Sequence, residues 1–374
     1  RCNTAMLGYY NCTTVANPNP NDPWVSYYGG DLYTTLAPIQ RSLSKTWTLS
    51  QVDSWGISLF DTITITDQLL LNIGGRYDHY KTKVSPGLTP ESTADRTWVG
   101  RSDNLWNYQA GLVFKPTPNS SIYISTSSPA TPPGSYLGQG SEGNGLNTTS
   151  QDLTNALKIE KTKSYEIGAK ANLFDDSLAL TFAAFETKTS NARTTGENGT
   201  VSFIGKRRIR GFEVGFNGNI TPEWSVFGGY TYMDAVITDG GYTLTSGIAA
   251  PSVNTGKRFP NTPKHSFTAF TNYMVTPQFQ IGGGAIYMSK VYGGYQDTRK
   301  IVNGQVVASP ALARSAPGYW RFDANASYKF SDAIQLQVNV QNVFNKLYYD
   351  KAYAAHYANQ AAGRTAMVTL NVKY

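Results

Sequence analysis

Between Trp320 and Phe344 the chain alternates with a period of two, and such a stretch can fold into little but strands with one apolar and one polar face. Phe322, Ala324, Ala326, Tyr328 and Phe330 hold the even positions, while Arg321, Asp323, Asn325, Ser327 and Lys329 fill the odd ones. After Ser331-Asp332 the alternation resumes, with Ile334, Leu336, Val338 and Val340 set against Gln335, Gln337, Asn339 and Gln341, so a tight hairpin is expected. The chain closes in the same way: Ala366, Val368, Leu370, Val372 and Tyr374 alternate with Thr365, Met367, Thr369, Asn371 and Lys373. Each arm is about 9 to 11 residues long, the length that crosses a hydrocarbon layer when tilted.

A last strand ending on an aromatic residue suits an outer-membrane β-barrel, and the composition agrees. Only 40% of the 374 residues are hydrophobic, and no apolar run reaches the roughly 18 residues of a membrane helix. Mean hydropathy is −0.35. Gly (35) and Tyr (25) are abundant, as turns and interfacial aromatic girdles require, whereas charged residues make up only 15%. The even positions of 322–330 and 366–374 are therefore expected to face lipid, since a slip of one residue would turn Arg321, Asp323 and Lys329 into it. In residues 201–219, Phe212, Val214 and Phe216 are read as outward, and Gly211, Glu213, Gly215 and Asn217 as inward. In residues 278–292, Ile281, Ala285 and Tyr287 are read as outward, and Gln280, Lys290 and Tyr292 as inward.

Connections follow a rule of their own. Short turns built from Thr, Ser, Asp or Pro recur at 65–67, 115–119, 173–176, 220–223, 275–278 and 330–332. Between them lie long stretches at about 85–104, 130–160, 238–263, 293–317 and 347–362. Short turns on one side and long loops on the other are the pattern of a membrane barrel with periplasmic turns and extracellular loops. A soluble sandwich shows no such strict alternation. About 13 strands are read, beginning near Trp47, and residues 1–46 read as an extracellular aromatic loop. Bacterial single-chain barrels have even strand numbers, and an open edge in lipid leaves backbone groups unpaired, so further strands are expected from outside this chain.

Cys2 and Cys12 lie in that first loop, and a short-range disulfide between them is expected in a chain that crosses an oxidising periplasm. A signal peptide is absent and residue 1 is Arg, so the leader is expected to have been removed or to lie outside this chain. A net charge of +7 favours anionic partners: lipopolysaccharide phosphates, or an anionic solute drawn to a pore mouth. Nucleic acid is not expected, because Lys and Arg are dispersed among strands and no nucleic-acid module appears.

Five landmarks occur in order: Lys163-Ser164-Tyr165-Glu166-Ile167-Gly168, Arg210-Gly211-Phe212-Glu213, Asn261-Thr262-Pro263-Lys264-His265, Gln341-Asn342-Val343-Phe344-Asn345-Lys346 with Tyr348, and Gly363-Arg364. Together they resemble TonB-dependent outer-membrane receptors, over nearly the whole chain from Trp47 onward. The wording of 224–234 and 357–364 is most similar to the catecholate-siderophore branch. The resemblance implies part of a 22-stranded, plugged barrel in the outer membrane of a Gram-negative bacterium. It implies active import of a ferric siderophore with energy from the TonB complex, and no enzymatic activity or resident cofactor. The plug, the energy-coupling segment and about nine strands are expected outside this chain. The alternative kept open is a passive porin or substrate-specific channel, which would have short loops and no plug.

A ferric tris-catecholate is a large anion, and Arg or Lys beside aromatic faces are its natural partners. Tyr27, Tyr28, Tyr292, Tyr295, Arg299, Lys300 and Tyr357 are the candidates, with Tyr348, Tyr349, Tyr353 and His356 nearby in sequence. The densest basic run is Lys206, Arg207, Arg208 and Arg210. Parity puts Arg207 inside and Arg208 and Arg210 outside, so a lipopolysaccharide contact and a ligand contact both fit. His79, His265 and His356 lack metal-ligand spacing and are read as strand-end hydrogen-bonding groups. Gly138-Gln139-Gly140-Ser141-Glu142-Gly143 matches a dinucleotide fingerprint in letters only, with no strand before it and no helix after it. No nucleophile, base and orienting acid can be assembled.

Overall fold

The computed structural model describes residues 47–88, 93–135, 150–195, 201–245, 248–296, 299–307, 312–353 and 357–373. Cys2, Cys12, Tyr27, Tyr28, His356 and the 138–143 stretch lie outside them. The chain divides into two compact units, residues 1–49 with 85–97 and residues 50–84 with 98–374. In the first, Arg96 Nη1 donates to Ser85 Oγ at 3.5 Å. The second holds the sheet described below.

In chain order the elements begin with β1 (Trp47–Thr66), β2 (Leu69–Leu88), β3 (Val99–Thr117), β4 (Ser120–Ser128) and β5 (Ala130–Thr131). After a short helix, α1 (Gln151–Ala156), come β6 (Glu160–Leu173), β7 (Leu178–Thr195), β8 (Val201–Thr221) and β9 (Trp224–Asp239). Next are β10 (Tyr242–Thr245), β11 (Ile248–Pro251), β12 (His265–Met274), β13 (Phe279–Met288), β14 (Val291–Gln296), β15 (Lys300–Val302), β16 (Gln305–Val307) and β17 (Leu312–Ala316). The last are β18 (Tyr319–Lys329), β19 (Ile334–Gln341), β20 (Tyr349–Tyr353), β21 (Tyr357–Gln360) and β22 (Thr365–Val372).

One sheet carries the path β1-β2-β3-β4-β6-β7-β8-β9-β12-β13-β18-β19-β22, with β5 beside β6. Every strand on this path neighbours its predecessor on the path, so each connection is a turn or a loop insertion and never a crossover. These thirteen strands fall on the segments read from the alternation. Their ends differ in instructive ways. β3 begins at Val99, six residues before its sustained alternation, and β19 stops at Gln341 because Asn342 takes a positive φ of 52°. β13 stops at Met288, so the inward parity read for Lys290 and Tyr292 does not carry through. Outside the wall, the chain forms two-stranded sheets that alternation alone does not reveal: β10 with β11, β14 with β17, β15 with β16 and β20 with β21. Register shifts at Tyr292/Gly294 and Tyr349/Lys351 break the period of two there.

Register extends the two-faced pattern from strand to strand. Ile124 pairs with Leu112 and Ile167, Ile167 with Ala184, and Ala184 with Phe212. Farther along, Tyr230 pairs with Phe267, Phe267 with Tyr287, Ala326 with Val338, and Val338 with Val368. All of these lie on one face. Ring contacts on β18 fix its two sides directly: Trp320 stacks on Phe322 at 6.0 Å and Tyr328 meets Phe330 at 4.9 Å, whereas Arg321 pairs with Asp323 at 2.7 Å. The opposite face holds the Asn325–Asn339 and Ser327–Gln337 pairs and the Tyr123 hydroxyl donating to Glu166 at 2.6 Å. It is not wholly polar, since Phe227 and Phe270 stack there at 5.2 Å. Large apolar side chains stay exposed on the first face, Leu59 at 79%, Val368 at 65% and Leu370 at 60% among them, so water is not its solvent. Lipid is. Gly211 shows how tightly neighbouring strands approach: a Cβ there would collide with the Tyr232 carbonyl oxygen.

The wall is tested by a pair of adjacent substitutions. Val338→Arg puts a cation in lipid and should lower the stability measured by denaturant titration in vesicles by about 2 to 4 kcal/mol. Asn339→Arg, one residue on and facing the other way, should cost less than about 1 kcal/mol. Equal losses would contradict the assigned faces.

Candidate functional site

Long connections collect at the strand ends marked by His265, Met288, Tyr319 and Gln341, and asparagines lace them together. Asn342, 2% exposed, accepts from the Lys346 N–H at 2.8 Å and donates to the Lys346 and Ala362 carbonyls at 2.9 and 3.3 Å. Its own N–H reaches Asp323 at 2.9 Å. Asn345 accepts from the Arg364 N–H at 2.9 Å, and Arg364 Nη1 donates to the Val343 carbonyl at 3.3 Å, which accounts for the Asn-Lys and Gly-Arg landmarks as one joint. Asn261 spans two loops, its Oδ1 taking the Ala352 N–H at 2.8 Å and its N–H reaching the Tyr292 carbonyl at 2.7 Å. Beneath this lies a small apolar core of Val291, Ala316 and Ala352 with Tyr349 packed against it. At the far side of the sheet, Arg101 Nη1 holds α1 by donating to the Thr154 and Leu157 carbonyls at 2.8 and 2.7 Å.

On that scaffold sits a cluster of cations and aromatic rings. Tyr292 and Tyr295 stack at 6.0 Å with 28° between planes. Lys290 Nζ lies 5.1 Å from the Tyr292 ring and Lys257 Nζ 5.9 Å from the Tyr295 ring. Lys264 Nζ lies 5.4 Å from the Tyr232 ring, and the Arg207 guanidinium 6.0 Å from Phe259. Each such contact contributes about 0.5 to 1 kcal/mol at an exposed site, enough to arrange the cations without neutralising them. Burial pushes the Tyr295 pKa up; Arg258, whose backbone hydrogen-bonds the hydroxyl, pulls it down, and burial wins. Tyr295 is therefore a neutral hydroxyl at physiological pH. The Nε and Nη2 atoms of Arg258 are buried and have no hydrogen-bond partner among the described residues. Donors in that state favour an anion.

The residues expected from the sequence divide into groups. Tyr292 and Tyr295 come together. Arg299 lies against another loop, its Nη1 donating to the Pro251 carbonyl at 2.6 Å, and Lys300 opens β15 opposite Val307. Tyr357 stands opposite Tyr353 in β21. Lys257, Arg258 and Lys290 were not among the candidates, although Lys257-Arg258-Phe259 carries the same mixture of cation and ring as the stretches that were. His79 hydrogen-bonds Asn104 at 2.9 Å and His265 the Tyr230 hydroxyl at 2.7 Å, which suits the role read for strand-end histidines. Among the described residues no cluster of three His, Cys, Asp or Glu has metal-holding geometry.

A two-faced antiparallel wall with a basic, aromatic loop end defines an outer-membrane receptor barrel. Residues 4–343 match the family model described as TonB dependent receptor-like, beta-barrel, and the chain belongs to that family. It is 37% identical over 373 residues to the probable TonB-dependent siderophore receptor PiuA of Acinetobacter baumannii, covering 100% of this chain and 47% of that relative. It is 31% identical over 344 residues to the catecholate siderophore receptor Fiu of Escherichia coli K12, covering 87% and 42%. The crystal structure of the Acinetobacter baumannii siderophore receptor PiuA superposes with a TM-score of 0.73 at 35% identity, over 87% of this chain and 44% of that one. The chain thus spans less than half the length of these relatives. Members of the family are transport receptors of the outer membrane, which is where this wall resides.

The Asn261 latch gives a local test. Asn261→Ala leaves the Ala352 N–H without its acceptor, a loss of roughly 1 kcal/mol. Amide exchange across Tyr349–Tyr353 should then speed up about fivefold, as that energy implies. Unchanged exchange would show that the β20 hairpin is held by other contacts.

Proposed function

We propose that this chain is the barrel part of a receptor that captures a ferric siderophore of the catecholate type at its extracellular face and imports it with TonB-derived energy. The observation that carries the reading is the cluster of Lys257, Arg258 and Lys290 around the stacked Tyr292 and Tyr295. A ferric tris-catecholate combines high negative charge with flat aromatic rings, and this cluster offers cations and ring faces to both. Arg299 and Lys300 extend the positive character of the same loops. What the relatives are named for, siderophore and catecholate-siderophore reception, supports the ligand class. Energy coupling is carried over from the family, with the plug and the segment that meets TonB supplied outside these residues. Along its outer face the wall meets outer-membrane lipid.

In cells expressing the receptor that carries this chain, Arg258→Ala with Lys290→Ala should slow uptake of a ferric tris-catecholate at least about fivefold, with surface expression unchanged; each lost charged contact is worth on the order of 1 kcal/mol or more. Arg299→Ala with Lys300→Ala should act in the same direction through steering, and capture should weaken as salt rises and screening sets in beyond about 8 to 10 Å. Uptake should stop when the inner-membrane energy source is removed. Uptake that survives removal would mean a passive channel instead.

A further inference from the structure

We propose that Phe227 and Phe270, on the inner face of the wall, form a stacking step for a flat aromatic ring of the chelate on its passage through the barrel. The inference rests on the import of a ferric catecholate proposed above. Phe227 of β9 pairs directly with Phe270 of β12, and their rings lie 5.2 Å apart with 12° between planes. Register settles the side they face. Val226 and Gly228 share the parity of Tyr230 and lie on the lipid face, so Phe227 between them points the other way, as does its partner Asn217 on β8.

On that face the pair is an island. Asn217 flanks it on β8, Ser225 and Asn272 pair one rung below, and Gly229 pairs with Thr268 one rung above. On β13, Gly284 stands opposite Phe270, with Asp323 beyond it. Of the adjoining positions only Ile286, diagonally above Phe270, carries an aliphatic side chain. Phe227 stays 45% exposed. Glycine shapes the ground around the rings. A Cβ at Gly284 would collide with the Phe270 ring, so that ring lies against bare backbone, close to the wall. Gly229 leaves the loop side of Phe227 equally bare. The pair therefore offers ring surface toward the loop end, and a third ring covers it better than any neighbouring side chain of the wall does.

A second observation, independent of the first, is where the pair stands relative to the loop cluster. β13 climbs from Gly284 to Met288, and Lys290 and Tyr292 follow, so about 20 Å of extended chain separates Gly284 from Lys290. Between them Tyr319, opposite Met288, stacks on Tyr348 at 4.3 Å. Arg321, opposite Ile286, holds Asp323 at 2.7 Å and donates to the Tyr348 hydroxyl at 3.4 Å. Cation and ring thus recur down one arc of the wall, from Lys290 and Tyr292 through Arg321 and Tyr319, and the phenylalanines end the series with rings alone. A trianion is captured where cations are dense. Lower down, a ring-on-ring contact guides it without the charge pairing that would hold it back.

Uptake kinetics of a ferric tris-catecholate, in cells expressing the receptor that carries this chain, separate the step from capture. Phe227→Leu/Phe270→Leu keeps apolar bulk but removes the flat faces. It should lower the maximal uptake rate about fivefold, while the affinity of the purified receptor for the chelate stays within about twofold of wild type. Phe227→Tyr/Phe270→Tyr, which keeps the faces, should import at a rate within about twofold of wild type. Heat-modifiable gel migration checks folding of each variant. Entry of a glycopeptide antibiotic, which rises when a plug is loosened, should match wild type in both. A Leu variant that imports at the wild-type rate would overturn the step. So would slow import accompanied by antibiotic entry, since the rings would then serve to pack the plug. A wild-type receptor that neither binds nor imports the ferric tris-catecholate would instead overturn the function proposed above, and the step with it.

Discussion

Inside a bilayer no water is available to a backbone N–H or carbonyl, and the whole structure depends on meeting that demand with neighbouring strands. The thirteen-strand path does so by never leaving its neighbour. Because side chains alternate along each strand, satisfying the backbone also sorts the residues: whichever face meets lipid must be apolar at every second position. Register then makes a local pattern collective. Val338 is apolar because Ala326 and Val368 on either side of it are turned the same way.

Where the wall ends the demand changes, and so does the sequence. Loops in water are free to use side chains in place of ladders, and three asparagines, Asn261, Asn342 and Asn345, take over the joining with positive φ angles of 53°, 52° and 50°. Asparagine tolerates that conformation and brings its own donors and acceptor. Joints of this kind set Lys257, Arg258 and Lys290 around two tyrosines, with no ion pair to any of the three among the described residues. The same economy appears on the outer face, where aromatic residues such as Trp106, 74% exposed, mark the interface and the cations of β6 to β8 stand beyond it.

How legible this was differed between wall and loops for a physical reason. Residues 322–330 could be assigned to faces from the letters alone, because a charge in lipid is costly enough to police every position. The parity of Arg208 and Arg210 followed in the same way, and the structure keeps both on the lipid side of their rungs. Past Met288 the constraint lapses. Lys290 and Tyr292 could be placed near one another by sequence distance, but their alignment with Lys257 and Arg258 depends on a hydrogen bond from Asn261 to Tyr292, which no periodicity announces. Arg258 carried only a weak signal, a cation next to an aromatic residue, and Tyr27, Tyr28 and the Cys2–Cys12 pair fall outside the described residues.

The central claim is that the loop end recognises an iron chelate by its charge and its rings together. Titration of the purified receptor with a trianionic ferric tris-catecholate and, separately, with a neutral ferric tris-hydroxamate, each at low and high salt, measures this most directly. The account predicts tighter binding of the catecholate at low salt by at least about tenfold, equivalent to roughly 1.4 kcal/mol, and a narrowing of that gap as salt screens the cations. Equal affinities for the two chelates, or a gap indifferent to salt, would contradict it.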